Sequence, residues 1–144
     1  MTINKIHHIN FIVKDIDEAI AAYTRLLGTD VFIKEGLRDR GVITARARVG
    51  EQWLVLVQPT ERDSIPGRYL EQHGEGFFLM SLEVGNMESA VTELAERGID
   101  TTSNTDRKGL LDWWVRDLDM SMTHGAQLQL CEERASPDST SSIT

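Results

Sequence analysis

The chain carries the same strand–helix pattern twice, about half its length apart. Residues 8–28 read HINFIVKDIDEAIAAYTRLLG and residues 79–98 read LMSLEVGNMESAVTELAERG. An ungapped alignment places Val13 on Val84, Asp15 on Asn86 and Ala19 on Ala90, an offset of 71 residues. Self-similarity at a fixed offset is typical of architectures built from repeated units. The sequence therefore predicts two copies of one module.

Each copy predicts a strand, a helix and three further strands. Alternating apolar residues predict the first strand, and apolar residues at i, i+3 and i+4 predict the helix. Asp15 and Asn86 have the residue types that cap helix N-termini, and Gly28 and Gly98 end the helices. The predicted strands are 5–13, 30–35, 42–49 and 52–58, then 77–84, 99–103, 110–116 and 126–132. The fold class is α+β, with two βαβββ modules.

The modules are joined and followed by segments of different composition. We predict one domain at residues 1–132, with module one at about 5–59 and module two at about 76–132. The connector 60–75 contains proline and glycines and one short predicted helix at 68–73. Residues 133–144 are rich in Ser and Thr and are predicted to be a disordered tail.

Each predicted antiparallel sheet has one helix and therefore one face that the helix does not cover. Two such sheets are expected to curl into an open barrel-like pocket, the default ligand site. Alternation assigns to the pocket face a set of uncharged polar and aliphatic residues: His8, Asn10, Val55, Val57, Leu79, Ser81, Gln127 and Gln129. This mixture suits an organic ligand with a polar head and an apolar body.

Composition narrows the possible partners. The net charge of −8 argues against nucleic acid, which requires a basic surface. Arg38, Arg40, Arg46 and Arg48 form the densest basic stretch, either a solvated strand face or an attraction for an anion such as a carboxylate or a CoA phosphate. One cysteine excludes an internal disulfide, and the sequence shows no signal core and no membrane span. We expect a cytoplasmic protein with a small-molecule ligand and no membrane partner.

Three stretches resemble the vicinal oxygen chelate superfamily, which includes glyoxalases, dioxygenases and bleomycin-resistance proteins. They are HINFIVKDIDEAIAAY at 8–23, GEGFFLMSLEV at 74–84 and GAQLQLCE at 125–132. They are most similar to the methylmalonyl-CoA epimerases. The resemblance covers residues 5–132 and implies the same paired-module fold. It also implies a homodimer, since members often complete their pockets across subunits.

The resemblance implies one metal ligand on each of four strands. Those positions hold His8, Val55, Leu79 and Gln129 in this chain. A divalent site needs several N, O or S donors with net negative charge, and two of these residues are aliphatic. His7 is expected to point to the opposite face of its strand. We therefore expect no catalytic metal and no other cofactor.

The resemblance also implies two carboxylates that exchange a proton next to a carbonyl. One of these positions is Gln129, and Asp39, before Gly41-Val42, lies near the other. Trp113 and Trp114 are adjacent on a predicted strand, so one of them faces the pocket. Trp113 would line one side of the pocket, and Phe77 and Leu79 would line the other side. The alternative is that the tryptophan packs in the core or at a dimer interface.

These observations favour a metal-independent enzyme of the isomerase, epimerase or lyase type, acting by proton transfer on a carbonyl or carboxylate substrate. His8 would be the base, with Asp39 as its partner, while Gln129 and Asn10 would hold the oxyanion. The other predicted substrate-binding residues are Val55, Phe77, Leu79, Ser81, Trp113 and Gln127. The alternative is a non-catalytic protein that binds or sequesters a ligand, as bleomycin-resistance proteins do.

Overall fold

The computed structural model describes residues 2–28 and 30–135 of the 144-residue chain. The described strands are β1 (Ile3–Ile12), β2 (Ile33–Leu37), β3 (Val42–Val49), β4 (Gln52–Pro59), β5 (Gly76–Val84), β6 (Arg107–Lys108), β7 (Trp113–Asp117) and β8 (Leu128–Glu133). The helices are α1 (Ile16–Leu27), α2 (Ile65–His73) and α3 (Met87–Glu96). The predicted α+β class and the two βαβββ modules are confirmed. None of these described helices is long and apolar enough to cross a membrane.

The chain divides into two compact units. The first unit is His8–Leu79, and the second comprises residues 2–7 with 80–135 of the described chain. The divisions fall inside β1 and β5 rather than in the connector. Each of these two strands therefore supplies residues to both units.

The first unit is a four-stranded sheet covered on one face by α1. Its strands lie in the order β2-β3-β4-β1. Helix α1 packs Ile16 against Val13, Ala45 and Leu56, which are all buried. The Asp15 carboxylate accepts a hydrogen bond from the Glu18 backbone N–H at 3.0 Å and so caps the helix, and Gly28 ends it in the left-handed conformation.

The second unit repeats this arrangement with β5-β8-β7-β6 and α3. Met87, Ala90 and Leu94 of α3 are buried against Val84, Leu118 and Leu130. The Asn86 side chain accepts a hydrogen bond from the Ser89 backbone N–H at 2.9 Å. The two capping residues that the repeat aligns thus perform the same function.

The sheets are mixed, which corrects the prediction of purely antiparallel sheets. β1 pairs with β4 in parallel, and β5 pairs with β8 in parallel. The other pairs within each unit are antiparallel. A parallel pair needs a long connection between its strands, and here that connection consists of the module's helix and its two middle strands.

The second strand of module two lies later in the chain than predicted. Thr101 forms only an isolated bridge with Leu118, and the edge strand is β6 at Arg107–Lys108. The hydroxyls of Thr101 and Ser103 donate to the backbone carbonyls of Ser103 and Thr105 at 2.6 and 2.9 Å. Such local bonds compete with strand pairing, so the predicted strand 99–103 is wrong.

The segments outside the modules also differ from their predicted bounds. Helix α2 begins at Ile65, three residues before its predicted start, because the Ser64 hydroxyl caps it by accepting from the Gly67 N–H at 3.0 Å. The predicted tail begins too early at 133, since Glu133 ends β8. Residues 136–144 of that tail lie outside the described residues.

The caps give a test of the repeat. Asn86→Ala and Asp15→Ala should each lower the free energy of unfolding by roughly 0.5–2 kcal/mol, because each leaves a helix N–H without its side-chain acceptor. Urea denaturation followed by circular dichroism measures the change. Ser89→Ala is the matched control, since Ser89 contributes only its backbone N–H. An equal loss in Ser89→Ala would contradict the capping role.

Candidate functional site

The first unit presents a polar face on the side of its sheet opposite α1. Cross-strand register aligns His8 with Trp53 and Asn10 with Val55. It also aligns Val55 with Arg46 and Val57 with Thr44. Directly paired residues point to the same side of a sheet. We call this surface the His8 face; its members include His8, Asn10, Thr44, Arg46, Arg48, Trp53, Val55 and Val57.

Arg46 is the charged residue at the centre of the His8 face. Only 5% of it is exposed. Its Nη1 donates to Glu35 Oε1 at 2.8 Å, and its guanidinium lies 6.0 Å from the Trp53 ring centroid. Its Nε is buried and has no hydrogen-bond partner within residues 2–28 and 30–135. A buried donor without a partner costs roughly 1–3 kcal/mol, so its presence calls for an explanation.

Asn10 lies on the other side of Val55 from Arg46. Since each strand spacing is about 4.8 Å, the two backbones are roughly 10 Å apart. The Asn10 Oδ1 is also buried and lacks a partner among the described residues. Val55 between them is 1% exposed. The two unsatisfied polar atoms therefore flank an aliphatic floor.

His8 completes this face, but the first unit does not supply a metal site at the positions that the resemblance implies. Of His8, Val55 and Leu79, only His8 carries a donor atom. His8 is 4% exposed. Hydrocarbon side chains cannot displace water from a divalent ion, and one imidazole does not suffice. These residues do not fit a metal ion.

The second unit presents its own polar face opposite α3. Register aligns Gln129 with Ser81 and Asp117, and Cys131 with Glu83 and Val115. We call this surface the Gln129 face. The buried Gln129 donates from Nε2 to Asp117 Oδ1 at 3.1 Å. Asp117 in turn accepts two hydrogen bonds from the Arg107 guanidinium. A chain of polar contacts thus fixes the Gln129 amide.

Cys131 lies on the Gln129 face and is fully buried. Burial raises the pKa of its thiol to about 12, and the neighbouring Ser81 hydroxyl offsets only part of that change. A thiol with so high a pKa carries almost no thiolate at neutral pH and is a poor nucleophile. Cys131 therefore has a packing role.

His7 belongs to the Gln129 face, which corrects the expectation that it points away. Its Nε2 lies 2.6 Å from Glu133 Oε1, and its ring meets Trp113 edge-on with centroids 4.6 Å apart. Both partners share the face of Cys131 by register. Alternation places Trp113 on this face and Trp114 on the other, where Arg134 lies over its ring at 4.9 Å.

Asp39 lies in a turn between β2 and β3, and Phe77 lies on the α1 side of the first sheet. Asp39 is exposed in a 3₁₀ turn at Arg38–Arg40. Phe77 is 46% exposed and meets Phe11 edge-on, and Phe11 also contacts Tyr23 of α1. Phe77 is thus on the α1 side of the sheet. In the second unit, Gln127 precedes β8 and accepts the Met80 N–H through its carbonyl at 3.1 Å.

A polar groove of about 450 Å³ lies beside α3 in the second unit. Arg116 and Arg134 line it, and both pair with Asp106. Burial alone would raise the pKa of Asp106, but hydrogen bonds from Arg134 and Arg116 hold it below its ordinary value. Since the two guanidinium charges are already matched by Asp106 and Glu132, this groove is a structural ion network.

Sequence reasoning underrated Arg46 and did not identify Glu35. The charge pattern does not distinguish Arg46 from Arg38, Arg40 and Arg48. The signal that separates Arg46 from them is its position between Ala45 and Ala47 on β3. With Ala45 in the core against α1, alternation requires Arg46 to share the side of Val55.

Comparison with known proteins assigns the family. The model of the glyoxalase/bleomycin resistance protein/dioxygenase superfamily matches residues 7–116. The chain belongs to this superfamily, and the resemblance found in the sequence is confirmed. Human mitochondrial methylmalonyl-CoA epimerase is 27% identical over 108 residues, 74% of this chain and 61% of the epimerase. The Bacillus subtilis protein YqjC is 23% identical over 131 residues, 91% of this chain and 94% of its own length.

Solved structures agree on the fold. A variant of Streptomyces coelicolor methylmalonyl-CoA epimerase in complex with 2-nitronate-propionyl-CoA superposes with a TM-score of 0.86. The match is 24% identical and covers 93% of this chain and 100% of that chain. At this identity the likeness shows the fold alone.

The thiol gives a test of the Gln129 face. Because burial raises the pKa of Cys131 to about 12, a disulfide reagent should modify the native protein only as fast as the chain opens. In denaturant the same cysteine, the single one in the chain, should react rapidly. Absorbance of the released thiolate measures both rates. Rapid modification of the native protein near pH 8 would contradict the buried, protonated thiol.

Proposed function

We propose that this protein is an isomerase of the epimerase type that moves a proton on the carbon next to a carbonyl of a small anionic substrate. The supporting observation is the buried Arg46 with an unpartnered Nε on the same sheet face as His8. The superfamily membership and the similarity to methylmalonyl-CoA epimerases support the reaction type. We propose further that the reaction uses no metal at the four positions that the resemblance implies.

Arg46 would anchor a carboxylate of the substrate. Glu35 accepts from Nη1, and the buried Nε, on the edge that it shares with Nη2, lacks an acceptor. That edge presents two parallel N–H groups, the geometry that matches a carboxylate. Binding there would give the buried Nε its missing acceptor. Because the Glu35 carboxylate already neutralises the Arg46 charge, a bound anion would gain most of its affinity from these directed hydrogen bonds.

His8 would remove the proton from the carbon next to the carbonyl. The electron pair of the broken C–H bond moves toward the carbonyl oxygen and gives an enolate, while the His8 imidazole holds the proton. His8 can return this proton to the same side of the carbon or exchange it with water, and inversion takes a water proton delivered to the opposite side. The Asn10 amide can donate to the developing oxyanion through its NH₂ group. Val55 would lie under the carbon skeleton of the substrate. The roles of Asp39 and Gln129 stay predictions.

Proton exchange distinguishes this enzyme from a binding protein. In D₂O the wild-type protein, after chelation of metals, should exchange the α-proton of methylmalonyl-CoA or a related carboxylated acyl thioester. His8→Gln should lower kcat roughly 10²–10⁴-fold with little change in ligand affinity, because it removes the base. Proton NMR measures the exchange. Binding without exchange in the wild type would support a ligand-sequestering protein instead.

Substitution of Arg46 tests the anchor. Arg46→Lys keeps the charge but removes the paired N–H edge, so KM for the carboxylated substrate should rise about 10- to 100-fold. Arg48→Lys is the matched control, since Arg48 is exposed on the same strand and lies over Trp53 at 4.9 Å. Circular dichroism checks folding. Equal effects of the two substitutions would reject Arg46 as the specific anchor.

A further inference from the structure

We propose that His7, Glu83 and Glu133 form a binding site for a divalent transition-metal ion in the second unit. The three side chains each offer one ligand atom, and these atoms lie within 4.8 Å of one another. None of the three is a position that the family resemblance assigns to a metal. The proposal is independent of the proposed isomerase activity, since it concerns binding alone.

The strands bring these donors together on the Gln129 face. Glu83 pairs with Cys131, and Glu133 lies two residues further along β8 on the same side. His7 reaches Glu133 through Nε2 at 2.6 Å. Trp113 contacts the His7 ring edge-on and limits its rotation. The imidazole is therefore held in one orientation before an ion binds.

Electrostatics favour a cation at this position. Two carboxylates so close repel each other and are destabilised unless a positive charge lies between them. Lys5 gives partial compensation, with Nζ 3.6 Å from Glu83 Oε2. That distance is long for an ion pair, and the lysine chain is flexible enough to withdraw. An ion between the two carboxylates would replace this weak compensation with direct bonds.

The donor set indicates the class of ion. One imidazole and two carboxylates suit Zn²⁺, Co²⁺, Ni²⁺ or Mn²⁺, with water in the remaining positions. His7 is 2% exposed, whereas the Glu133 side chain is 55% exposed. The buried imidazole shields one side of the site from water. The exposed carboxylate leaves the other side open, so that an ion and its bound waters can enter.

Zinc titration tests the site. Tag-free protein is stripped with a chelator and titrated with Zn²⁺ against a chromophoric competitor. Wild type should bind one ion per chain. Glu133→Gln and Glu83→Gln should each weaken Zn²⁺ binding about tenfold or more. Loss of a residue that only supports a metal ligand already weakens metal binding by about that factor, and these variants lose a ligand itself. Glu132→Gln is the matched control. It removes the same charge from the neighbouring residue of β8, which pairs with Arg134 instead.

Two further variants make the result decisive. Lys5→Met should tighten Zn²⁺ binding, because it removes the cation that competes for Glu83. In a Trp53→Phe/Trp114→Phe background, Co²⁺ should quench the emission of Trp113, which touches His7. Equal weakening in Glu132→Gln and Glu133→Gln, with no quenching, would indicate an adventitious ion only. The proposal would also be overturned if His8→Ala lost Zn²⁺ binding while Glu133→Gln kept it. It would likewise be overturned if the folded wild type showed no saturable binding.

Discussion

An amphipathic helix can cover only one face of a sheet, and the rest of this structure depends on that limit. The apolar stripes of α1 and α3 each bury one side of a four-stranded sheet. Polar side chains cannot lie on those sides without partners, so they collect on the opposite faces. Repetition of the strand–helix pattern therefore produces one polar face in each unit, with His8 and Arg46 in the first and Gln129 and His7 in the second.

The His8 face carries an aliphatic residue where the family resemblance implies a metal ligand. Where the family resemblance implies a metal ligand, Val55 makes the centre of the first sheet aliphatic. Arg46, one strand away, supplies a fixed positive charge instead. A guanidinium differs from a metal ion because it binds through directed hydrogen bonds and cannot lower the pKa of bound water as an ion does. The polar groups that flank Val55 are therefore the guanidinium of Arg46 and the amide of Asn10.

Capping residues, glycines and apolar alternation predicted the helix ends and strands that depend on nearby residues. The caps Asp15 and Asn86, Gly28 and the strand 42–49 occur as the pattern indicates. The pairing direction of β1 and β4 could not be read from either strand, because it depends on where the α1 crossover returns the chain. The strand 99–103 failed because hydroxyl groups there satisfy backbone carbonyls locally, which alternation does not reveal.

The site residues also differ in how far the sequence predicts their positions. Alternation placed His8, Asn10 and Val55 on one face, and the structure agrees. The orientation of His7 and the burial of Arg46 depend on partners far along the chain, such as Glu133 at the end of β8. Charge patterning alone could not separate Arg46 from its exposed neighbour Arg48. A buried charge is identified by its surroundings, and these become known only when strands are paired.

The pairing of Asp106 with Arg116 and Arg134 also determines where the folded chain can be cut or extended. Arg134 lies beyond the last strand, yet its guanidinium bonds Asp106 and Glu132 and covers Trp114. A fragment designed to end at residue 132, the boundary that composition indicates, would remove this clamp and expose an indole. Affinity tags, fluorescent fusions and crystallisation truncations should therefore begin after residue 135.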